Sequence, residues 1–133
     1  KGYAVANDVT ARWWQKKGSG GQWIRGKSFN SFCPIGKLID ADSVDCPQSL
    51  MLRTSVNGRV VQESSTSKMI FSVQDLLVEL SRGMTLLEGT VLLTGTPAGV
   101  GAGARPPRFL DDGDVVEVAI DGIGEIRNTV RRV

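Results

Sequence analysis

The sequence predicts a β-rich α+β fold, and three observations carry that expectation. Roughly six or seven short apolar, β-branched runs recur between turn signals, the rhythm of an antiparallel-rich sheet protein and not of a doubly wound one. Two Asx-Gly pairs, Asn57-Gly58 and Asp121-Gly122, stand where hairpins turn. Only the segment 72–83 carries a full helix signature: Ser72 as cap, Asp75 completing a capping box, and Gly83 as terminator.

Taken in order, residues 2–10 read as a buried strand ending at Asp8, with β-branched Val5, Val9 and Thr10. A short helical piece from Ala11 to Lys17 follows, then the Gly18-Ser19-Gly20-Gly21 loop. Residues 32–39 form a second short strand that Pro34 confines to an edge or an irregular stretch. Leu50, Leu52, Thr54 and Val56 alternate with Met51, Arg53 and Ser55, the period of a strand with one buried face. Asn57-Gly58 fits a type I′ turn, and Arg59-Val60-Val61-Gln62 returns. In the helix, Val73, Leu76, Leu77 and Leu80 make one apolar stripe, which needs a sheet to pack on. Val91–Thr94 reads as a short buried strand ending in the loop Gly95–Gly101, and Arg105-Pro106-Pro107 as an extended connector. Asp112-Gly113-Asp114 turns into the strand 115–120, and Asp121-Gly122 into a last strand, 123–130.

Bulk properties bound the function. The chain has 133 residues, enough for one domain with a real core and too few for two. Hydrophobic content is 41% and charged content 23%, values of an ordinary globular protein. A net charge of +2 is too small for a nucleic-acid or anionic-membrane footprint, and Arg131-Arg132 reads as a solvated tail. There is no histidine, which excludes a His-based triad, an HExxH zinc site and a Cys/His pair made by this chain alone. Cys33 and Cys46 read as a reduced pair, which suits the cytoplasm or the mitochondrial matrix. No signal peptide and no apolar run of membrane length is present. The chain opens at Lys1 on a strand-like segment without an initiator Met, which reads as a cut and implies truncation at the N-terminus.

Gly21–Ser28 satisfies G-x-x-x-x-G-K-[ST] letter for letter, the remote alternative of a P-loop nucleotide-binding protein. A P-loop needs a strand before it and a helix after it. Here a Gly/Ser loop precedes, Pro34 breaks the segment after Ser28, and Trp23 and Ile24 crowd the turn, so the nucleotide reading is refused. The glycines at 99, 101 and 103 fail as a dinucleotide fingerprint because Arg105-Pro106-Pro107 cannot open a helix.

The remaining constellation is Asp8, Arg12, Gln15, Lys27 and the Thr94-Gly95-Thr96-Pro97 turn. A carboxylate at a strand end binds hard divalent cations, and Arg and Lys clamp carboxylates or enolate oxygens. Spacing alone favours plainer roles: Asp8 capping the 11–17 turn, Arg12 as its salt-bridge partner, and Lys27 solvated.

Those residues lie inside motifs with a family likeness. Gly2-Tyr3-Ala4-Val5-Ala6-Asn7-Asp8-Val9-Thr10-Ala11-Arg12 resembles the metal-carboxylate segment of the fumarylacetoacetate hydrolase family. The likeness continues through Gly26-Lys27-Ser28-Phe29, Phe32-Cys33-Pro34-Ile35-Gly36, Val56-Asn57-Gly58 and Thr66-Ser67-Lys68-Met69-Ile70-Phe71. It closes with Leu93-Thr94-Gly95-Thr96-Pro97-Ala98-Gly99-Val100-Gly101 and Gly113-Asp114-Val115-Val116-Glu117-Val118. Pro106-Pro107 before Phe109-Leu110 is similar to the fumarylacetoacetate hydrolase domain-containing protein 2-like branch.

The resemblance implies that residues 1–133 are the C-terminal portion of one catalytic domain, a β-roll on a mixed sheet, in a homodimer. It implies Asp8 as a metal ligand for Mg2+ (or Mn2+ or Ca2+), Lys27, Gln15 and Arg12 as catalytic, and Gly95 and Thr96 as substrate-binding. The implied substrates are small 2-oxo acids and 1,3-dicarbonyls. The implied reactions are acylpyruvate or fumarylacetoacetate hydrolysis, oxaloacetate decarboxylation or tautomerisation, and hydration of oxo-enoates. Three features depart from the family pattern: this chain has no Glu-x-Glu pair, no His base, and Trp13 where the family usually has Asp. A non-catalytic dimerisation or binding scaffold of the same fold is therefore the alternative.

Overall fold

The chain's strongest strand pattern, the alternation from Leu52 to Val56, builds the centre of the molecule in the computed structural model, which describes residues 1–132. Strands β3 (Met51–Val56) and β4 (Arg59–Ser65) form the expected hairpin. Asn57 (φ 52°) and Gly58 (φ 76°) turn it, both in the left-handed region that a type I′ turn requires. Strands β5 (Val115–Ile120) and β6 (Gly124–Thr129) make a second hairpin, and the sheet runs β4-β3-β5-β6 with every pairing antiparallel. Two further strands, β1 (Gly2–Tyr3) and β2 (Ile39–Asp40), pair antiparallel beside it.

Register sorts the two faces. Leu52, Thr54 and Val56 lie opposite Ile120, Val118 and Val116, so one face of the sheet is apolar. Val116, Val118, Ile123 and Val5 are buried there, with Tyr3, Ile39, Leu50 and Ile126 packed around them. On the other face the polar partners meet: Arg53 Nε donates to Glu63 Oε1 at 2.9 Å, Ser55 Oγ to Glu117 Oε2 at 2.9 Å, and Arg127 Nε to Glu117 Oε1 at 2.9 Å.

Helix α1 (Val73–Ser81) begins as the sequence requires. Ser72 Oγ accepts from Asp75 N at 3.0 Å, while Asp75 Oδ2 accepts from Ser72 N at 2.9 Å. Gly83 follows its end at φ 76°.

Six expectations need correction. Residues 32–39 hold only the Ala6–Ile35 bridge and the start of β2 at Ile39. Helix α1 buries no residue fully, and its Leu77 and Leu80 line a cleft with Leu86, Leu87 and Leu92 in place of a sheet face. The 2–10 segment is a strand only at Gly2–Tyr3, with an isolated bridge from Ala6 to Ile35, because its partner segment bends around Pro34. Val91–Thr94 is neither strand nor buried (Val91 is 61% exposed); no neighbouring strand among the described residues satisfies its backbone. Arg105-Pro106-Pro107 bends, with the Arg105–Pro106 peptide cis, and does not run extended. The last turn takes three residues, so β6 starts at Gly124 and Ile123 drops into the core. No described helix is long and apolar enough to cross a membrane.

Two carboxyls titrate below the usual carboxylate range. Asp75 is lowered first by the Ser72 hydroxyl and then by the Ser72 N–H; Asp114 is lowered by the Asp111 N–H and the Asn57 amide, with Arg108 adding attraction. A carboxyl whose folded value is depressed contributes stability above its unfolded value, and that contribution is lost as pH falls through the folded value. Acid denaturation should therefore depend on both residues. Between about pH 5 and pH 2 the Asp75→Asn/Asp114→Asn variant is expected to lose less stability than the parent chain in urea melts; an identical pH slope would show that neither carboxyl contributes.

Candidate functional site

Gly26 makes the site by lacking a side chain. It lies in the short 3-10 turn Arg25–Lys27, which packs on the helical turn from Arg12 to Gly18, the latter a π-helix from Trp14 onward. A Cβ on Gly26 would stand 2.9 Å from Gln15 N and 3.2 Å from Ala11 O. The two turns are clamped by Ala11 N donating to Gly26 O at 2.8 Å and by Arg25 Cζ lying 4.3 Å above the Trp14 ring. Trp14 continues the packing onto Phe29, and Phe29 onto Phe32.

This clamp places Lys27 against Asp8. Lys27 Nζ donates to Asp8 Oδ2 and, at 3.1 Å, to Thr10 Oγ1, whose hydroxyl donates to Asp8 O at 3.0 Å. The pair is partly open to solvent, with side chains 27% (Lys27) and 41% (Asp8) exposed. Beside it, Gln15 is buried and takes a hydrogen bond on Oε1 from Arg12 Nη1 at 2.9 Å. Asp8 thus pairs with Lys27 and not with Arg12, and Lys27 is not a free surface charge.

The 95–101 loop is held by different contacts. Gln62 Nε2 donates to Thr96 Oγ1 and to Pro97 O, both at 2.8 Å. A bulge in β4 leaves Val61 unpaired with β3, and Gly99 closes on it so tightly that a Cβ would come 2.0 Å from Val61 O. Gly95 sits at φ 104°. Among the described residues no hydrogen bond or ion pair joins Gly95 or Thr96 to Asp8, Lys27, Arg12 or Gln15. The two clusters approach further along the chain. A cleft of about 220 Å3 is lined by Arg12, Trp13, Lys16 and Lys17 on one side and by Ala102, Pro107 and Phe109 on the other. Trp13, 62% exposed, stacks edge-on against Trp14 and forms part of that apolar wall.

Sequence reasoning missed Thr10 and Gln62. Thr10 stood two residues from Asp8 and carried a usable signal, a hydroxyl beside a candidate ligand; Gln62 carried none, being 34 residues from Thr96. The P-loop reading fails on geometry as well. The Lys27 and Ser28 N–H groups bond back to Ile24 O and Arg25 O, so the amides that would cradle a phosphate are spent within the turn.

A resident divalent ion needs several oxygen ligands. This chain offers Asp8 alone, already neutralised by Lys27, and no group of three or more His, Cys, Asp or Glu side chains comes together among the described residues. The donor set of this chain by itself does not fit such an ion. Calorimetric titration of the chain with Mn2+ should give millimolar or weaker binding; micromolar binding would reveal a different ligand set.

The model of the fumarylacetoacetate (FAA) hydrolase C-terminal family matches residues 1–131. The Xenopus laevis mitochondrial oxaloacetate tautomerase fahd2 is 48% identical over 130 residues, which are 97% of this chain and 41% of that protein. The Pongo abelii fumarylacetoacetate hydrolase domain-containing protein 2 is 46% identical over the same shares. A fumarylacetoacetate hydrolase from Exiguobacterium antarcticum superimposes with a TM-score of 0.93 at 49% identity, covering 99% of this chain and 47% of that one. A Mycobacterium marinum 2-hydroxyhepta-2,4-diene-1,7-dioate isomerase does so with a TM-score of 0.85 at 50% identity, covering 98% and 48%. The chain thus spans less than half the length of these relatives. With the family model matched across 1–131 and the fold shared at high identity, the chain belongs to the fumarylacetoacetate hydrolase family.

Proposed function

We propose that this chain furnishes the C-terminal part of an enzyme that converts small 2-oxo acids or 1,3-dicarbonyls through an enolate. The observation that carries the reading is the Asp8–Lys27–Thr10 cluster, whose Lys27 lies on the turn that packs through Gly26 against Gln15, the partner of Arg12. An enolate forms when a proton leaves the carbon next to a carbonyl and negative charge gathers on the carbonyl oxygen. The Lys27 ammonium, with Thr10 and Asp8 fixing its position, is suited to hold that oxygen. Gln15 keeps its amide N–H2 for a substrate oxygen because its Oε1 is occupied by Arg12, whose remaining donors can take a carboxylate. Thr96 and the Gly95 backbone would hold a further substrate oxygen. This chain contains no histidine, and the proton acceptor is proposed to come from residues outside it.

Asp8 is proposed as one ligand of the divalent ion that the family likeness implies, Mg2+ or alternatively Mn2+ or Ca2+, with the remaining ligands supplied by residues this chain does not contain. Oxaloacetate tautomerisation is the first reaction to assay, given the names of the vertebrate relatives; acylpyruvate hydrolysis is the second. A homodimer is proposed too, supported by exposed Ile70, Phe71 and Val78. The mitochondrial matrix or the cytoplasm is the proposed compartment.

One observation favours a second reading, a non-catalytic binding scaffold. Trp13 stands where the family usually has Asp, and it lends its apolar face to an open cleft. The test is Asp8→Asn in a protein of the relatives' full length, assayed on oxaloacetate. The enzyme reading expects a loss of about a hundredfold or more in kcat/KM. Unchanged turnover, or none in the parent on either substrate class, supports the scaffold.

A further inference from the structure

Gln62 sits on β4, far in sequence from every candidate site residue, yet its amide addresses the Thr96-Pro97 turn twice. Pro97 O can only accept a hydrogen bond, so the Gln62 atom facing it must be the amide nitrogen. Both Nε2 hydrogens are then committed, one to Pro97 O and one to Thr96 Oγ1, each at 2.8 Å. Thr96 Oγ1 is therefore an acceptor toward Gln62, and its single hydroxyl proton is directed away from the Gln62 amide.

The backbone around this contact is built to hold it. The β4 bulge places Val61 as the extra residue beside Gln62, and Gly99 packs on Val61 O where no side chain would fit. The loop so anchored meets β4, an edge strand of its sheet, at Val61 and Gln62.

We propose that Gln62 is a positioning residue for catalysis. By donating to Thr96 Oγ1 it fills one of that oxygen's two acceptor positions and leaves the hydroxyl proton for the substrate oxygen, and by donating to Pro97 O it fixes where that hydroxyl stands. The inference rests on the reading of Thr96 as a substrate contact. It predicts that an oxygen able to accept, a carbonyl or enolate oxygen, is favoured opposite Thr96, and that a protonated hydroxyl there is disfavoured.

The experiment is a double-mutant cycle in the full-length parent enzyme, with oxaloacetate as the probe and kcat and KM determined separately. Gln62→Met keeps length and removes both donors; Thr96→Val keeps shape and removes the hydroxyl. Each single change is expected to lower kcat/KM by about tenfold, and the double variant is expected to be no worse than either. Gln62→Glu, a near-isostere that puts an acceptor against Pro97 O, should lose at least as much and recover partly at acid pH, where its protonated carboxyl donates again. Recovery is expected to be absent when Thr96→Val is also present. Full additivity of the two single losses would mean that Gln62 acts only on loop structure, and would overturn the proposal. A wild-type-like Gln62→Met beside a damaged Thr96→Val would overturn it too, leaving the enolate reading intact. An unaffected Thr96→Val would remove Thr96 from the site, and the proposal with it.

Discussion

The close approach of Gly26 to the Ala11–Gln15 backbone is the constraint on which the rest of the candidate site depends. With no Cβ at Gly26, the 25–27 turn can lie directly on the 12–18 turn, and its neighbour Lys27 arrives at Asp8. Any side chain at 26 would push against main-chain atoms, which cannot rotate away as a side-chain tip can. The same approach buries Gln15 and leaves its carbonyl oxygen to Arg12. Four groups of opposite and complementary chemistry are thereby gathered from one stretch of fewer than thirty residues, on turns and not on the central sheet. The sheet's part is indirect: its core, centred on Val116 and Val118, takes up Val5 and so anchors the irregular segment that carries Asp8 three residues on.

Electrostatics then decides what the site can do unaided. An exposed or half-exposed ion pair contributes little to stability, because water competes for both partners. The Asp8–Lys27 pair is better understood as a store of two reactive groups in one place than as a staple. A carboxylate bound to an ammonium is a poor cation ligand, so any metal function of Asp8 requires further carboxylates that draw an ion in and release Lys27 toward substrate. The chain matches less than half the length of its relatives, and among its described residues no group of three metal-ligating side chains comes together.

How much of this was legible in the sequence depends on the range of the interactions. The Ser72–Asp75 capping box and the Asn57-Gly58 turn were readable because each is completed within four residues. The candidate residues Asp8, Arg12, Gln15 and Lys27 were legible as a set only through the family likeness, since spacing alone favoured plainer roles. The structure joins them in pairs, Asp8 with Lys27 and Arg12 with Gln15, and holds Thr96 by a separate route through Gln62. The features that could not be read are non-local. Val91–Thr94 has strand composition, but a strand exists only where a partner lies alongside. The bulge at Val61 and the three-residue turn that buries Ile123 are outcomes of register, which the sequence encodes only through the whole sheet.

Lys27 is proposed to stabilise charge on a substrate oxygen, and kinetics of a Lys27 variant test that role most directly. In a protein of the relatives' full length, Lys27→Met should lower kcat for oxaloacetate tautomerisation by about a hundredfold or more while leaving KM nearly unchanged, as expected for a contact made chiefly in the transition state. A variant that keeps kcat and loses only affinity, or loses neither, would contradict the account.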